Sequence, residues 1–427
     1  MLIFGTIAIA VYAIISVKTT TAASSLITTT GVTSVATATT VSVTTSTITT
    51  SSTTSSSTTS SSTTSSSTTS SSTTSSSTTS SSTTSSSTTS SSTTSSSTTS
   101  SSTTSSSTTT STTTNFLFRW NSTGITLAGV TGSAGASSTQ LSTPYSMTLD
   151  SSNTLYIADR NNNRVQKFLT GSSTGTTIAG QSNGTGGAAL NYLNYPSDVE
   201  VDINGNIYVV DSHNHRVLFW PNGSSSGTIV AGNGISGTSN NQLDTPYGIT
   251  HDWSANIFYI TDQNNHRVMK YLSNSTSGTV VAGNNGQGMG TTQLNYPLGV
   301  YFDSSSNSLL IVNYGAHNVV RWVLGASSWT LVVGNTGVSG STSTLLFTPF
   351  DVTCDSMNNV YVADSGNHRI QFFFAGQSNG TTVAGITGTV GSTSILLNQP
   401  TSIVVDAQFN IYVVDYANSR IQEFLHY

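Results

Sequence analysis

The stretch 196–220, PSDVEVDINGNIYVVDSHNHRVLFW, decides the fold, because five related copies of it recur in the chain. The copies are 50 to 52 residues apart and begin at Pro144, Pro196, Pro246, Pro297, Pro349 and Pro400. DVEVD, NIYVVD and HRVLFW alternate apolar and polar residues and predict strands a, b and c, and the later GTIVAG predicts strand d. Four-stranded sheets repeated at this period must stack to bury their faces, and a ring leaves only short edges. The sequence therefore predicts an all-β, six-bladed propeller.

Charged residues occupy fixed positions in the repeat. Strand a ends in Asp150, Asp202, Asp252, Asp303, Asp355 and Asp406. Strand b ends in Asp159, Asp211, Asp262, Asp364 and Asp415, and strand c opens on Arg164, Arg216, Arg267, Arg369 and Arg420. The fourth copy replaces both with Asn313 and Asn318, so the two charges disappear together. We expect these side chains to be structural, with the aspartates capping turns and each arginine pairing with a carboxylate.

A family resemblance rests on the recurring segments PYGIT, GNIYVVDSHNHRV and IVAGNGISG. From about Gly124 to the C terminus, the chain resembles the NHL-repeat six-bladed β-propellers. The resemblance implies the fold. It leaves the function open, since propellers of this family bind proteins, RNA or sugars and some are enzymes.

Two segments precede the repeats. Residues 1–17 are apolar and uncharged, but a helix of that length reaches only about 25 Å, short of the ~30 Å hydrocarbon core. Residues 1–23 are therefore predicted to be a signal peptide cleaved near Ala22 and Ala23, with an uncleaved membrane anchor as the alternative. Residues 24–114 form a Ser/Thr-rich stalk, and every residue from 49 to 114 is Ser or Thr. Such a segment has nothing apolar to bury and is predicted to be disordered, as a mucin-like stalk or a passive spacer.

Residues 115–427 are assigned to the propeller. The sixth copy ends after strand c, and the missing strand d is supplied by GITLAG at 124–129, which we expect to pair beside the last blade and close the ring. FLFRW, at 116–120, reads as a further strand for which the repeat count leaves no place.

Five N-glycosylation sequons indicate the compartment in which the protein is found. They are at Asn121, Asn183, Asn222, Asn274 and Asn379. Four of the five fall in the turn between strands c and d. With the N-terminal segment, they predict an extracellular, secreted glycoprotein, or one anchored at the cell surface by a single membrane span. The lone cysteine, Cys354, falls in an apolar column of strand a and is interpreted as a buried thiol.

Metal chemistry has few candidates. His215, His266, His317 and His368 occupy one position of the turn between strands b and c, about 10 Å or more apart in a six-bladed ring, whereas zinc ligands converge at about 2 Å. They are interpreted as turn residues. Similarity to propeller enzymes such as the peptidyl-hydroxyglycine lyases implies zinc-bound histidines near the axis, and only His251, in a strand a, could face inward there. No cofactor is predicted, and calcium or zinc enters only under the enzyme alternative.

Ligand binding is predicted where copies depart from the repeat. Asp198 and Asp351 share one position of strand a on opposite blades, and Glu200 is a further acid in blade 2. With His251, they are the candidate ligand-binding residues, for a cation or polar ligand. A net charge of −5, with little basic charge outside the arginine column, argues against nucleic acid. The sequence thus predicts a module that binds a protein or a glycan, with a metal-dependent lyase or lactonase as the alternative.

Overall fold

The computed structural model describes residues 15–20, 40–45, 114–273 and 275–427. They fall into two compact units, Met1–Leu117 and Phe118–Tyr427. The described part of the first unit is one antiparallel sheet with three strands in chain order: Ile15–Thr20, Thr40–Thr45 and Thr114–Leu117.

The predicted cleavage position at Ala22 and Ala23, and residues 49–113 of the Ser/Thr-rich segment, lie outside the described residues. Within the described ranges, no helix has the length and apolar character needed to cross a membrane.

The second unit is a ring of six antiparallel sheets, numbered blades 1 to 6 in the order of the sequence copies, which confirms the predicted fold. Strand a lies nearest the axis and comprises Ser146–Leu149, Pro196–Val201, Pro246–Asp252, Pro297–Asp303, Asp351–Cys354 and Pro400–Val405. Strand b comprises Leu155–Asp159, Ile207–Asp211, Ile257–Asp262, Ser308–Asn313, Val360–Asp364 and Ile411–Asp415. Strand c comprises Arg164–Phe168, Arg216–Trp220, Arg267–Leu272, Asn318–Val323, Arg369–Phe373 and Arg420–Phe424. Strand d comprises Thr176–Gly180, Thr228–Gly232, Thr279–Gly283, Thr330–Gly334, Thr381–Gly385 and, in blade 6, Ile125–Gly129.

A single 3-10 turn joins strands b and c in every blade. The six turns are Arg160–Asn162, Ser212–Asn214, Gln263–Asn265, Tyr314–Ala316, Ser365–Asn367 and Tyr416–Asn418. The residue that ends each turn is left-handed, as His215 is with φ 51°. Asn and His tolerate this conformation better than most residues, which explains their place at the end of the turn.

A buried ion pair fixes this turn in five blades. In blade 2, the Arg216 Nε donates to Asp211 Oδ2 at 2.8 Å, while Asp211 Oδ1 accepts the amide of Asn194 in the loop from the previous blade. The same pairing joins Asp159 to Arg164, Asp262 to Arg267, Asp364 to Arg369 and Asp415 to Arg420. The carboxylate therefore holds both its own strand c and the loop that crosses between blades.

Blade 4 lacks the charges but keeps half of the contact. Asn313 Oδ1 accepts the amide of Asn295, just as the aspartates do in the other blades. Its Nδ2 has no hydrogen-bond partner among the described residues, and neither does Asn318 Oδ1. The asparagine pair thus keeps the loop contact and loses the ion pair.

The aspartates that end strand a cap the a–b turns. Asp202 Oδ1 accepts the amides of Asn204 and Asn206 at 2.8 and 2.9 Å, and Asp150 and Asp406 make the equivalent contacts. Apolar side chains of neighbouring blades form the core between them, since Tyr156 of blade 1 packs in one cluster with Val209 of blade 2.

The ring closes between the two ends of the propeller sequence. Ile125–Gly129 pairs with Arg420–Phe424 as strand d of blade 6, which is the pairing expected for GITLAG. The described part of FLFRW extends this contact, because the Trp120 Nε1 donates to the carbonyl of Phe409 at 2.7 Å. The ring of Phe118 stacks on Phe372 at 5.5 Å. The segment that the repeat count left without a place therefore fastens the seam between blades 5 and 6.

Candidate functional site

The six strands a surround a central channel that three aromatic rings divide. Tyr145, Tyr247 and Phe350 follow the proline of blades 1, 3 and 5, and blades 2, 4 and 6 carry Ser197, Leu298 and Thr401 there. The centroid of the Tyr145 ring lies 5.5 Å from Tyr247 and 6.1 Å from Phe350, and the latter two are 6.1 Å apart. Rings this close leave no open passage, so one cavity lies on each side of them.

The cavity on the side of the 3-10 turns has a volume of about 290 Å³ and is called the aromatic mouth. Its lining comprises the three rings together with Arg160, Ser212, Thr245, Gln263, Leu298 and Tyr314. Arg160, Ser212, Gln263 and Tyr314 each begin a 3-10 turn. The third residue of the turn is Asn in every blade but the fourth, where it is Ala, whereas the first residue, which lines the mouth, differs between neighbouring blades.

Two polar groups of the aromatic mouth are free to bind a ligand. The guanidinium of Arg160 lies 4.2 Å from the centroid of the Tyr145 ring and forms no ion pair with a described carboxylate. The hydroxyl of Tyr247 is buried without a hydrogen-bond partner among the described residues, although the residue is only 7% exposed. A buried hydroxyl normally has a partner, so this one is available to a ligand.

The cavity on the other side of the rings has a volume of about 250 Å³ and is called the acidic cavity. Asp198, Glu200 and Asp351 line it, together with Tyr301, His251 and Trp253. It reaches the surface at the a–b turns, where Trp253 is 48% exposed. The structure therefore brings all four predicted ligand-binding residues to the walls of one cavity.

The two aspartates already have partners, which the sequence did not indicate. Asp198 accepts hydrogen bonds from the Ser146 hydroxyl at 2.6 Å and from the Ile249 amide at 2.8 Å, so it joins blades 1, 2 and 3. Asp351 accepts the amide of Ile403 in blade 6 at 3.1 Å. Their first role is to tie neighbouring strands a together.

Glu200 differs from them, because its carboxyl makes no hydrogen bond within the described residues. Burial, with the nearby charges of Asp198 and Asp351, raises the pKa of Glu200 to about 8. Burial also raises the pKa of Asp198 to about 7 and that of Asp351 to about 6. At pH 7, therefore, Glu200 is mostly protonated, whereas Asp198 and Asp351 titrate near or below that pH, and the three carboxyls titrate as one coupled set.

His251 packs between blades 2 and 3 at the edge of the acidic cavity. Its ring centroid lies 3.7 Å from that of Trp253 and 4.5 Å from that of Phe258. The residue is 7% exposed. Neither ring nitrogen has a partner with good hydrogen-bond geometry among the described residues, and the side chain of Asn256 lies beside the ring. Burial lowers the pKa of His251 to about 4, so the imidazole is neutral at physiological pH.

Three segments of the chain match a known repeat. Residues 141–168, 193–218 and 349–373, in blades 1, 2 and 5, match the NHL repeat. Blades 3, 4 and 6 have the same strand order and the same turn. The chain is a six-bladed β-propeller that contains NHL repeats. No curated protein matches its sequence.

Solved structures share the fold of this NHL propeller. A structural genomics protein of unknown function from Bacteroides thetaiotaomicron is similar with a TM-score of 0.57 and 14% identity, over 74% of this chain and 79% of that chain. Auxiliary nutrient binding proteins from Bacteroides thetaiotaomicron and Bacteroides ovatus have TM-scores of 0.54 and 0.52, each at 15% identity. The alignments cover 74% and 73% of this chain and 79% and 77% of theirs. At these identities the likeness concerns the fold alone.

Zinc does not fit the channel of the NHL propeller. A catalytic zinc site needs three converging protein ligands, and His251 is the one histidine that lines the acidic cavity. In the part of the chain that the structure describes, no three His, Cys, Asp or Glu side chains are grouped to hold a metal ion. The structure therefore carries no step of a metal-dependent mechanism.

The histidine column of the NHL propeller makes contacts between blades. His215 Nδ1 accepts the amide of Thr245 in the loop that leads to blade 3, at 3.1 Å. His266, His317 and His368 accept the equivalent amides at 3.1 to 3.2 Å. The turn histidines are structural, but their hydrogen bond is with the next blade and not within the turn.

The remaining predicted positions are the glycosylation sequons and the lone cysteine. Asn121, Asn183, Asn222 and Asn379 are exposed, and Asn274 lies outside the described residues. Glycosylation of these residues stays a prediction. Cys354 is partly buried beside the cluster between blades 4 and 5, and burial raises the pKa of its thiol to about 12.

The aromatic mouth was missed by the sequence reasoning. The available signal was the alternation after the proline, aromatic in copies 1, 3 and 5 and not in copies 2, 4 and 6. The alternation predicts a site only if this position is known to face the axis, where side chains from alternate blades come into contact.

Proposed function

We propose that this NHL-repeat propeller is an extracellular carbohydrate-binding module and that its ligand site is the aromatic mouth. The observation that supports the proposal is a concave site in which aromatic rings from three blades lie beside the Arg160 guanidinium and the Tyr247 hydroxyl, neither of which has an ionic or hydrogen-bond partner in the part of the chain that the structure describes. Binding sites for small molecules typically combine such apolar walls with a few polar groups that set the orientation of the ligand.

The chemistry of the mouth suits a sugar. The faces of aromatic rings are electron-rich, so they attract the partly positive C–H groups on one face of a pyranose. Gln263, the Tyr247 hydroxyl and the Tyr314 hydroxyl can exchange hydrogen bonds with sugar hydroxyls.

Arg160 narrows the choice of sugar. Its guanidinium lies on the Tyr145 ring without a paired carboxylate, and a guanidinium forms two parallel hydrogen bonds with a carboxylate. We therefore expect sugars that carry a carboxylate to bind more tightly than neutral ones.

The surroundings of the domain are consistent with this role. The exposed sequons and the Ser/Thr-rich segment before the propeller support a place outside the cell, with the segment as a spacer. Two similar structures bear the name auxiliary nutrient binding protein. That name belongs to those proteins, and the proposal rests on the chemistry of the mouth.

A glycan array with the secreted protein tests the proposal, with neutral and carboxylate-bearing glycans side by side. Arg160→Gln should weaken binding of acidic glycans by at least tenfold and neutral ones less, because only the former use the charge. Arg119→Gln is the matched control, since Arg119 is exposed outside the mouth.

The proposal would be wrong if no glycan bound, or if both arginine variants behaved alike. A protein ligand recovered in place of a glycan would assign the same module to protein adhesion.

A further inference from the structure

The acidic cavity is separate from the aromatic mouth, because the rings of Tyr145, Tyr247 and Phe350 lie between them. It contains polar groups that the scaffold does not use. Asp198 and Asp351 hold neighbouring strands. The Glu200 carboxyl makes no hydrogen bond with a described residue, and the ring nitrogens of His251 have only the side chain of Asn256 nearby, without good hydrogen-bond geometry.

We propose that the acidic cavity binds a small organic primary amine, whose ammonium group is held by the Glu200 carboxylate, a ring nitrogen of His251 and the ring of Trp253. Each of the three groups accepts what an ammonium offers. A carboxylate supplies charge, a neutral imidazole nitrogen supplies a lone pair, and an indole ring attracts a cation over its face.

His251 distinguishes this site from an ordinary acidic patch, because it is more than nine-tenths buried and its ring nitrogens make no well-formed hydrogen bond with a described residue. Leaving a buried polar group without a well-formed hydrogen bond is unfavourable, so a ligand that donates to His251 supplies a contact that the described protein groups do not. Trp253 is 48% exposed at the opening, where it can cover the entering cation.

Charge balance fixes how binding depends on pH. Below about pH 8 and without a bound amine, the Glu200 carboxyl holds a proton, because burial and the nearby carboxylates raise its pKa to about 8. The incoming ammonium replaces that proton as the partner of the carboxylate, and one proton leaves to solvent. Below pH 8, therefore, affinity should rise with pH by up to roughly tenfold per unit.

Other titratable groups around the cavity do not remove this linkage. Asp198 and Asp351 share the cavity and titrate together with Glu200. The number of protons released on binding is therefore a property of the three carboxyls together. Tyr301, from blade 4, stays neutral because burial raises its pKa to about 12, and Tyr208, beside Glu200 in blade 2, also has a raised pKa. Blades 1 and 6 contribute no titratable side chain to the described lining.

Calorimetry on the full chain tests the inference with n-butylamine, n-butyltrimethylammonium and n-butanol. Titrations in two buffers with different heats of ionisation count the protons released. We expect n-butylamine to bind with proton release, and more tightly at pH 8 than at pH 6. The trimethylated cation should bind at least tenfold more weakly, since it cannot donate to His251, and the alcohol should not bind.

Two variants locate the site. Glu200→Gln should abolish both the binding and the proton release, and Trp253→Ala should weaken binding several-fold. Glu423→Gln is the matched control, because Glu423 lies in strand c of blade 6, outside the acidic cavity. Far-ultraviolet circular dichroism checks that each variant is folded.

Absence of n-butylamine binding at millimolar concentration would overturn the inference, and so would binding without proton release or binding that survives in Glu200→Gln. The glycan array is independent of these results, since its variants lie on the other side of the three rings. Failure of one proposal is thus distinguishable from failure of the other.

Discussion

The guanidinium of Arg216 and the carboxylate of Asp211 lie 2.8 Å apart in a place where both side chains are almost fully buried. Four other blades repeat the pair, and blade 4 replaces both partners with asparagine. The protein therefore tolerates the loss of the whole pair in one blade, and nowhere in the described ring does it keep one partner alone.

This arrangement predicts strongly non-additive variants. Arg216→Asn should lower the free energy of unfolding by about 3–5 kcal/mol, because it leaves the Asp211 charge buried and unpaired. The double variant Asp211→Asn with Arg216→Asn reproduces blade 4 and should cost less than Arg216→Asn alone. Urea denaturation of the wild type, both single variants and the double variant measures the coupling. Additive losses would contradict the role of the pair.

Glu200 predicts that stability falls at alkaline pH. Its pKa rises from 4.5 in the unfolded chain to about 8 in the fold, so its favourable contribution is complete below about pH 4.5 and is lost as pH rises through 8. The melting temperature of the wild type should therefore fall further between pH 6 and pH 9 than that of Glu200→Gln. Differential scanning calorimetry measures both. Glu423→Gln should behave as the wild type. Equal pH profiles for wild type and Glu200→Gln would contradict the burial of this carboxyl.

The turn histidines predict the opposite behaviour in acid. Burial lowers the pKa of His317, and Nδ1 must be unprotonated to accept the Thr348 amide. The contribution of this hydrogen bond to stability is complete above about pH 6.5, and it is lost as the pH falls through the lower pKa of His317 in the folded protein.

Blade 1 supplies the control for this histidine, because Asn163 occupies the equivalent position and accepts the Tyr195 amide through Oδ1 at 2.9 Å. His317→Asn should keep the neutral-pH stability and remove part of the loss between pH 7 and pH 5. His317→Ala should cost about 1–3 kcal/mol at pH 7, through the lost hydrogen bond and left-handed strain. Thermal melts across that range measure both, and an acid profile of His317→Asn identical to the wild type would count against the interblade contact.

Removing the Tyr247 hydroxyl should affect glycan binding but not the stability of the fold. This hydroxyl has no hydrogen-bond partner among the described residues, so Tyr247→Phe should leave the melting temperature unchanged or slightly raise it. The same change should weaken the glycan found by the array by about 2- to 10-fold, the value of one hydrogen bond. Tyr427→Phe is the control, because it removes the hydroxyl of a tyrosine that is 71% exposed and does not line the mouth. A Tyr247→Phe protein with unaltered glycan affinity would place the ligand elsewhere.

The sequence predicted the scaffold well because each blade repeats the same local requirements. Period, alternation and turn residues fix the strands, and the joint loss at Asn313 and Asn318 already indicated a pair. The predicted acids also reach one cavity, since equivalent positions of strand a face the same axis.

Other features depend on residues that are distant in sequence. The Thr245 amide that His215 accepts is thirty residues away, and the Ile249 amide that Asp198 accepts is fifty-one residues away. The anchoring of Trp120 joins positions 289 residues apart. Local sequence patterns do not indicate contacts over such distances in the chain. The roles of these side chains between blades are therefore apparent only in the folded ring.

The closure of blade 6 also determines when the protein can finish folding during synthesis. Ile125–Gly129 is the first strand of the ring to leave the ribosome, and its partner, Arg420–Phe424, is the last. Five blades can form in order as they emerge, while the first strand waits with an unpaired edge for almost three hundred residues. Ring closure is thus a single late, long-range event, and the nascent chain must be kept from aggregating through that edge until translation has passed blade 6.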